Sequence, residues 1–315
     1  MSRVRVGTSG WNYPSGRGTW NGIFYPVGPG RSKKKSGFDE LAFYAQHFDT
    51  VEVNSSFYGV PTPQTTKGWA DRTPKDFEFS LKLHQRFTHP ELFHKATGAD
   101  PADVGTKDVE EFRRAIDPIV DAGKLGALLA QFPASFKNEP NARGYLEWLL
   151  AAFREYPIAV ELRHKSFSDD PEGTLALLGE FGAAWAQIDE PKFRFSIRQN
   201  LLPNVRTFYY MRLHGRNAGQ WWRHEKSEDR YNYLYSPSEL EPFAEAAKAA
   251  SRDVKKAYLY ANNHFSAKSV ANAATIKKQL GQPLEGEYPE TFVERFPDLK
   301  GLVRILPSRP SDTLV

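Results

Sequence analysis

Five strand-like segments of the chain end in charged or amide side chains, and in each of them polar residues alternate with apolar ones. Residues 50–54 (TVEVN) show the pattern most simply, and residues 77–84, 158–163, 209–214 and 257–262 repeat it. Because successive side chains of a strand point to opposite faces, the apolar residues can share a buried face. The other face then carries Glu52 with Asn54, Lys82 with His84, Glu161 with Arg163, Arg212 with His214, and Tyr260 with Asn262.

If these strands are neighbours in one closed sheet, their polar ends converge on one spot. Buried charges cost roughly several kcal/mol each unless they are paired, so these acids and bases must form ion pairs or reach water. The face holds three acids and three bases, namely Glu52, Glu161, Asp189, Lys82, Arg163 and Arg212. The pattern predicts a preorganised polar pocket, and the alternative is a salt-bridged scaffold without chemistry.

Acid–base chemistry is the first role that these residue types suggest. Glu52 has no arginine on its own strand, whereas Glu161 is followed two residues later by Arg163. A carboxylate beside arginine has a lowered pKa and is a poor acid, so Glu52 is the better acid–base candidate and Glu161 the better ion-pair partner. The predicted catalytic residues are Glu52, His214 and Glu161.

Anion binding is the second role, because arginine grips phosphate and carboxylate with two parallel hydrogen bonds. Lys82, Arg163, Arg212 and Arg216 supply cations, and the backbone of residues 7–10 supplies N–H donors. The same arginines could instead neutralise the acids of the pocket. The predicted substrate-binding residues are Asn54, Lys82, Gln131, Arg163, Asp189, Arg212, Tyr260 and Asn262.

Metal-dependent chemistry and glycoside hydrolysis have weaker support. His84, His214, Glu161 and Asp189 are ligand types for zinc or manganese, but cations stand among them and no H-E-x-x-H motif is present. We therefore predict no metal ligands and no cofactor, and leave a divalent metal as an alternative. Glycosidases need two carboxylates across the bond, and nothing in the sequence fixes the separation of Glu52 and Glu161.

Two segments indicate a nucleic-acid partner. One is a basic run and the other an aromatic loop, and together they contribute Lys33, Lys34, Lys35, Trp221 and Trp222. Aromatic and basic side chains suit stacking and phosphate contact with single strands. The alternative is a solvated loop for the lysines and a lid over the pocket for the tryptophans.

Composition limits the classes of protein further. The 315 residues include no cysteine, so disulfides and thiolate chemistry are excluded. The formal net charge of +4 is mildly basic, which favours anionic partners without identifying nucleic acid. No apolar run approaches the ~20 residues that a membrane span needs, and residues 1–7 lack an apolar signal core. We expect a cytoplasmic protein that does not enter membranes.

Strand-like and helix-like segments alternate along the chain in eight units over residues 4–280. This alternation predicts an α/β fold with a parallel sheet, and eight units fit a (β/α)8 TIM barrel, whose sites gather at the C-terminal strand ends. A doubly wound open sheet is the alternative. We predict a single barrel domain over residues 1–282 and a short C-terminal extension over residues 283–315.

Short motifs in a fixed order resemble the YecE-like domain family, whose function is unknown. They are VGTSGW at residues 6–11, EVNSSFY at 52–58, FSLK at 79–82, QFP at 131–133, VELRH at 160–164, RLHGR at 212–216 and NNH at 262–264. The resemblance implies a TIM barrel related to the xylose-isomerase and endonuclease-four barrels, and it implies no particular reaction.

These observations together predict an enzyme, a hydrolase that acts on a small anionic, phosphorylated substrate at the C-terminal mouth of the barrel. In this hypothesis Glu52 orients or deprotonates the nucleophile, His214 transfers a proton, and the cations stabilise developing charge. The alternatives are a nucleic-acid-binding protein and a metal-dependent nuclease of the endonuclease-four type.

Overall fold

A computed structural model describes residues 2–26, 37–100 and 103–306 of the chain. Eight parallel strand positions follow one another in chain order, and the sixth position consists of two short strands. The strands are β1 (Val4–Thr8), β2 (Thr50–Val53), β3 (Glu78–Lys82), β4 (Leu125–Gln131), β5 (Ile158–Glu161), β6 (Ala184–Trp185), β7 (Gln187–Asp189), β8 (Phe208–Leu213) and β9 (Lys256–Ala261).

Hydrogen bonding divides these strands into two parallel sheets, ordered β2-β3-β4-β5-β6 and β1-β9-β8-β7. Ala186 joins β6 to β7 along the chain, because Trp185 pairs with β5 and Gln187 with β8. At the other seam, a single parallel bridge joins Ser9 to Glu52. The arrangement is a TIM-like barrel whose ladder is interrupted at two places, which confirms the predicted α/β fold class.

Helices follow the strands and cover the sheet. They are α1 (Glu40–Tyr44), α2 (Ser55–Tyr58), α3 (Pro63–Asp71), α4 (Gln85–Thr88), α5 (Pro90–Thr97), α6 (Thr106–Asp121), α7 (Pro140–Ala152), α8 (Pro171–Glu180), α9 (Ala218–Trp221), α10 (Pro237–Ala250) and α11 (Lys268–Gln279). Three 3-10 turns accompany them, at Lys165–Phe167, Ser227–Tyr231 and Phe265–Ala267. Because helices cover the outer face of the sheet, both faces of β4 are buried. This explains why β4 is a continuous apolar run rather than an alternating one.

Local sequence sets the ends of several helices. Asp39 accepts hydrogen bonds from the first backbone N–H groups of α1. Ser236 and Glu239 form a reciprocal capping box at the start of α10, so this helix begins at Pro237.

Residues after 282 fold back onto the barrel. Strand β10 (Glu287–Tyr288) pairs with β11 (Arg304–Ile305), and helix α12 (Glu290–Arg295) and a 3-10 turn at Pro297–Leu299 lie between them. Tyr288, Phe292, Phe296 and Leu299 are buried in the same hydrophobic core as the barrel strands. The boundary at residue 282 stays a prediction, and the described part of the extension contributes to the core.

Candidate functional site

Four strands place charged side chains together at the C-terminal end of the barrel. Glu52 on β2, Lys82 on β3, Glu161 on β5 and Arg212 on β8 are each no more than 9% exposed. Contacts across the barrel join three of them directly, because Arg212 binds both Glu52 and Glu161. The structure thus brings together the residues that the alternating pattern had placed on one face.

Arg212 is the centre of the cluster. Its Nη2 lies 2.6 Å from Glu52 Oε1, and its Nε donates to Glu52 Oε2 at 2.8 Å. Nη1 reaches the second carboxylate, Glu161, and donates to Gln131 Oε1 at 3.1 Å. Two buried carboxylates therefore surround one guanidinium, and they raise its pKa although burial opposes this.

Glu52 has a donor set that the sequence did not reveal. Besides Arg212, Ser9 donates its hydroxyl to Oε1 and Tyr210 donates its hydroxyl to Oε2, both at 2.7 Å. We had favoured Glu52 as acid or base because its own strand lacks arginine, but β8 supplies one from across the barrel. Each Glu52 oxygen already accepts two hydrogen bonds, so its predicted catalytic role requires release of a donor.

Glu161 is an ion-pair partner, as its sequence context suggested. Arg163 donates from Nε to Glu161 Oε1 at 2.8 Å, and its Nη2 lies 2.7 Å from the same oxygen. Burial alone would raise the pKa of the Glu161 carboxyl, but Arg212 and Arg163 outweigh it and hold the pKa well below its usual range. The Arg163 Nη1 atom lies 3.4 Å from Glu190 Oε2. This contact adds Glu190 to the cluster as a third buried acid.

Glu190 differs from Glu161 in its proton affinity. Its side chain is 5% exposed, and burial raises its pKa although Arg163 lowers it. The alternating pattern includes Asp189 and ends there, so it gives no signal for Glu190. Glu190 lies just after β7, where the chain has left the strand and the alternation no longer applies.

His214 is a neutral base in this environment. Its Nδ1 lies 2.7 Å from Asn262 Nδ2, and its Nε2 lies 3.3 Å from Glu161 Oε1. Burial lowers the pKa of the imidazole to about 3, and the nearby arginines add to this effect although Glu161 opposes it. The same Nε2 also lies 3.4 Å from Arg163 Nη2 and from Arg212 Nη1, so two arginines and a carboxylate surround this nitrogen.

Lys82 stands apart from the arginines. Among the described residues its Nζ atom has no carboxylate or hydrogen-bonding partner, and it lies 3.7 Å from the ring centroid of Phe57. Burial lowers the pKa of the amine to about 7, and Arg212 contributes to the fall. Lys82 is therefore a buried amine that exists in both protonation states near neutral pH.

His89 is a neighbour of Lys82 that the sequence analysis missed. It ends α4, and its ring packs edge-on against Phe57 with 5.0 Å between centroids. Burial lowers its pKa to about 3, and Lys82 and Arg163 lower it further. A histidine outside any strand gives no alternation signal, so only the folded chain reveals its place.

Asp189 belongs to a separate ion pair. Its two oxygens accept hydrogen bonds from Arg216 Nε and Nη2 at 2.8 and 3.1 Å, and Tyr235 donates its hydroxyl at 2.6 Å. Arg216 also reaches Glu239. Asp189 and Arg216 thus neutralise each other beside the central cluster.

Two predicted substrate-binding residues have structural partners instead of an open position. The Tyr260 hydroxyl lies 2.7 Å from Thr50 Oγ1 and 2.9 Å from Ser80 Oγ, closer to the N-terminal end of the barrel than Glu52. Asn54 precedes α2, and its backbone oxygen accepts a hydrogen bond from the Phe57 N–H at 3.1 Å. Their roles toward a substrate stay predictions.

The two tryptophans have different environments. Trp221 is 3% exposed, and its ring lies 6.0 Å from the Arg163 guanidinium carbon. Trp222 is 57% exposed and packs against Phe193 and Phe195. Trp221 therefore belongs to the wall of the cluster and Trp222 to the surface. The predicted basic segment with Lys33, Lys34 and Lys35 lies outside the described residues.

A surface cleft of about 570 Å³ lies on the same face of the barrel, away from Arg212. Arg17, from the loop after β1, lines it together with Gln220, Arg223, His224 and Asp229 from the loop after β8. Arg17 pairs with Asp229 at 2.9 Å. None of the residues that form the buried cluster lines this cleft.

No group of three histidine or acidic side chains within residues 2–26, 37–100 and 103–306 is arranged to hold a metal ion. In the cluster, Arg163 and Arg212 occupy the oxygens of Glu161 that a cation would use. The metal-dependent nuclease stays a prediction. The described part of the chain offers no set of metal ligands for it.

The fold and the cluster define a class, namely parallel α/β barrels with buried ion pairs at the C-terminal ends of the strands. A family model described as a protein of unknown function, DUF72, matches residues 5–293. The chain belongs to this family. The resemblance seen in its motifs is confirmed.

Relatives and solved structures agree with this assignment. UPF0759 protein YunF of Bacillus subtilis is 27% identical over 292 residues, which cover 90% of this chain and 96% of YunF. UPF0759 protein YecE of Escherichia coli K12 is 29% identical over 133 residues, 42% of this chain and 44% of YecE. A DUF72 family protein from Thermotoga maritima is 32% identical with a TM-score of 0.73, covering 89% of this chain and 99% of its own. One from Enterococcus faecalis, 22% identical, has a TM-score of 0.74 and covers 89% and 96%.

None of the helices in the described ranges combines the length and the apolar composition that crossing a bilayer requires. The cytoplasmic location stays a prediction.

Proposed function

We propose that this protein is an enzyme that acts on a small anionic substrate at the C-terminal mouth of the barrel, where Lys82 contacts the anionic group. The contrast between Lys82 and the arginines carries the proposal. Arg163, Arg212 and Arg216 each have carboxylate partners. Lys82 is only 9% exposed. It has no carboxylate partner among the described residues.

The charge balance of the cluster supports an anion at this position. The acids and bases of the cluster are three and three, namely Glu52, Glu161, Glu190, Arg163, Arg212 and Lys82, and none of these side chains is more than 13% exposed. Arg163 and Arg212 are already held by carboxylates, so a bound anion would meet Lys82 as its cation. An anion beside Lys82 favours the ammonium form, and binding is therefore coupled to uptake of a proton.

The reaction that we propose to test is hydrolysis of a phosphate ester, the hypothesis that the sequence suggested. In the folded protein Lys82 would bind the phosphoryl group and stabilise developing charge. Glu190, whose pKa is raised by burial, suits proton donation to a leaving group better than Glu52, whose oxygens are occupied. His214, a neutral imidazole, suits the transfer of a proton beside Glu161.

The first experiment measures binding of inorganic phosphate by calorimetry and turnover of a panel of phosphate monoesters. The variants are Lys82→Met and the control Lys165→Met, which removes a lysine outside the cluster. We expect binding and turnover to disappear with Lys82→Met and to survive in the control. Affinity should fall as the pH rises above about 7, because the ammonium loses its proton. Equal binding by both variants would refute the role of Lys82.

Single-stranded nucleic acid is a second candidate ligand, and the exposed aromatic surface around Trp222 favours it. Trp222, Phe193 and Phe195 form this surface, and the exposed Lys192 and Arg194 flank the two phenylalanines. Stacking on an aromatic side chain is worth ~1–3 kcal/mol per base. Titration of a labelled oligonucleotide should show weaker binding by Trp222→Ala and unchanged binding by Leu302→Ala, an exposed residue of the extension. Binding without dependence on salt would contradict this candidate.

A further inference from the structure

Lys82 has the surroundings of an amine nucleophile. Its stem is buried at the end of β3, its Nζ lies over the face of Phe57, and no oxygen of the described residues holds it. An ammonium held by a carboxylate is a poor nucleophile because its lone pair carries a proton. A desolvated lysine beside other cations is the arrangement that activates lysine toward carbonyl carbon.

We infer that the Lys82 amine forms an imine with an aldehyde or ketone, so that the substrate class is a small carbonyl compound bearing a carboxylate or phosphate. This inference rests on the proposed function and specifies the chemistry of the same site. It replaces a non-covalent contact with a covalent bond at the Nζ atom.

The charged groups around the amine support both stages of this chemistry. Glu52 on β2, Glu161 on β5 and Arg212 on β8 act on Lys82 electrostatically, as do Arg163 after β5 and His89 after α4. The two arginines and burial favour the free amine, which is the form that attacks. The two carboxylates and the substrate anion favour the protonated imine, which is the form that follows.

The reaction is balanced without an oxidant or reductant. The nitrogen lone pair forms the C–N bond while the carbonyl π pair moves to oxygen, and one proton passes from nitrogen to that oxygen. The C–O bond then breaks as the oxygen takes a second proton and leaves as water, and the remaining nitrogen lone pair forms the C=N bond. The nitrogen keeps its second proton as the protonated imine, and the acid is left as a carboxylate that takes up a proton from solvent. Glu190, joined to the cluster through Arg163, is the acid that we assign to this step.

The experiment traps the imine by reduction. The full-length protein is incubated at about pH 7 with pyruvate or pyridoxal 5′-phosphate and sodium cyanoborohydride, and the labelled lysine is identified by peptide mass mapping. We expect Lys82 to be labelled at least tenfold faster than Lys165, because burial and the neighbouring arginines favour the free amine of Lys82. Glu190→Gln should slow labelling of Lys82 without changing that of Lys165.

Mapping of the unmodified sequence does not depend on whether a variant folds, so absence of label on Lys82 would overturn the inference. Phosphate binding then separates the two proposals. Phosphate binding that Lys82→Met abolishes, with no label on Lys82, leaves the anion site standing and removes the imine. Absence of both phosphate binding and label removes the proposed function as well.

Discussion

Replacing Lys82 with methionine should stabilise the protein. The pKa of the amine falls from 10.5 to about 7 in the folded chain, and at ~1.4 kcal/mol for each unit the ammonium form costs about 5 kcal/mol. Methionine keeps most of the buried stem but loses the contact of the cation with Phe57, which is worth about 1–2 kcal/mol. We therefore expect Lys82→Met to raise the free energy of unfolding by about 2–4 kcal/mol at pH 6.

The gain should depend on pH in a defined direction. Below pH 7 both the folded and the unfolded protein carry the proton, so the cost of the buried ammonium is present in full. Between pH 7 and about 10.5 the unfolded chain binds the proton and the folded chain does not, so the stability of the unmodified protein rises with pH. The advantage of Lys82→Met should shrink by ~1.4 kcal/mol for each pH unit in this window.

Urea unfolding at about pH 6, 7.5 and 9, followed by circular dichroism, measures these differences. Lys124→Met is a matched control with the opposite expectation. Lys124 is also buried, but its Nζ donates to Ala70 O, Thr73 O and Thr73 Oγ1 at 2.6, 2.8 and 3.0 Å. Its loss should destabilise by about 1–3 kcal/mol. A Lys82→Met protein that is less stable at pH 6, or a gain that stays constant with pH, would refute the reasoning.

Three further predictions concern the barrel and its cluster. Arg212→Met should lower the free energy of unfolding by about 3–5 kcal/mol in urea, because it leaves the buried Glu52 without a cation and Glu161 with Arg163 alone, and a loss below ~1 kcal/mol would contradict the geometry. Gly7→Ala should also destabilise strongly in the same assay, because a Cβ there would lie 2.3 Å from the carbonyl oxygen of Thr50; unchanged stability would show that β1 and β2 lie further apart. The ring protons of His214 should show no titration by NMR between pH 8 and 5, since its pKa is about 3, and stability should fall as the pH drops from 6.5, where unfolded histidine takes up its proton. A midpoint near 6.5 in the folded protein would refute a buried neutral ring.

Local sequence predicted which residues meet but not which partners they take. The period of two and the common end of parallel strands are properties of each segment alone, and they placed Glu52, Lys82, Glu161 and Arg212 at one end. The pairing of Glu52 with Arg212 joins strands in different sheets. It depends on how the two sheets face each other, which no single segment encodes.

The same distinction explains the residues that were missed. Ser9, just after β1, and Tyr210 on β8 donate to Glu52. Tyr210 is two residues before Arg212, so alternation could have found it, but its bulk suggested ordinary core. Glu190 and His89 lie outside the strands, where alternation has no meaning. The sixth strand position divides at Ala186, because its two halves pair with different sheets.

The choice between a working pocket and an inert scaffold turns on Lys82. Buried ion pairs are weak evidence of function, because a scaffold can balance each charge with another. Arg163, Arg212 and Arg216 fit that description, since each is held by carboxylates. A scaffold has no use for an additional buried amine that lowers stability by several kcal/mol in a fold whose net stability is only about 5–15 kcal/mol. Groups that destabilise the fold locally are expected at functional sites. Lys82 is such a group, because it lacks a carboxylate partner in a cluster whose other charges are paired.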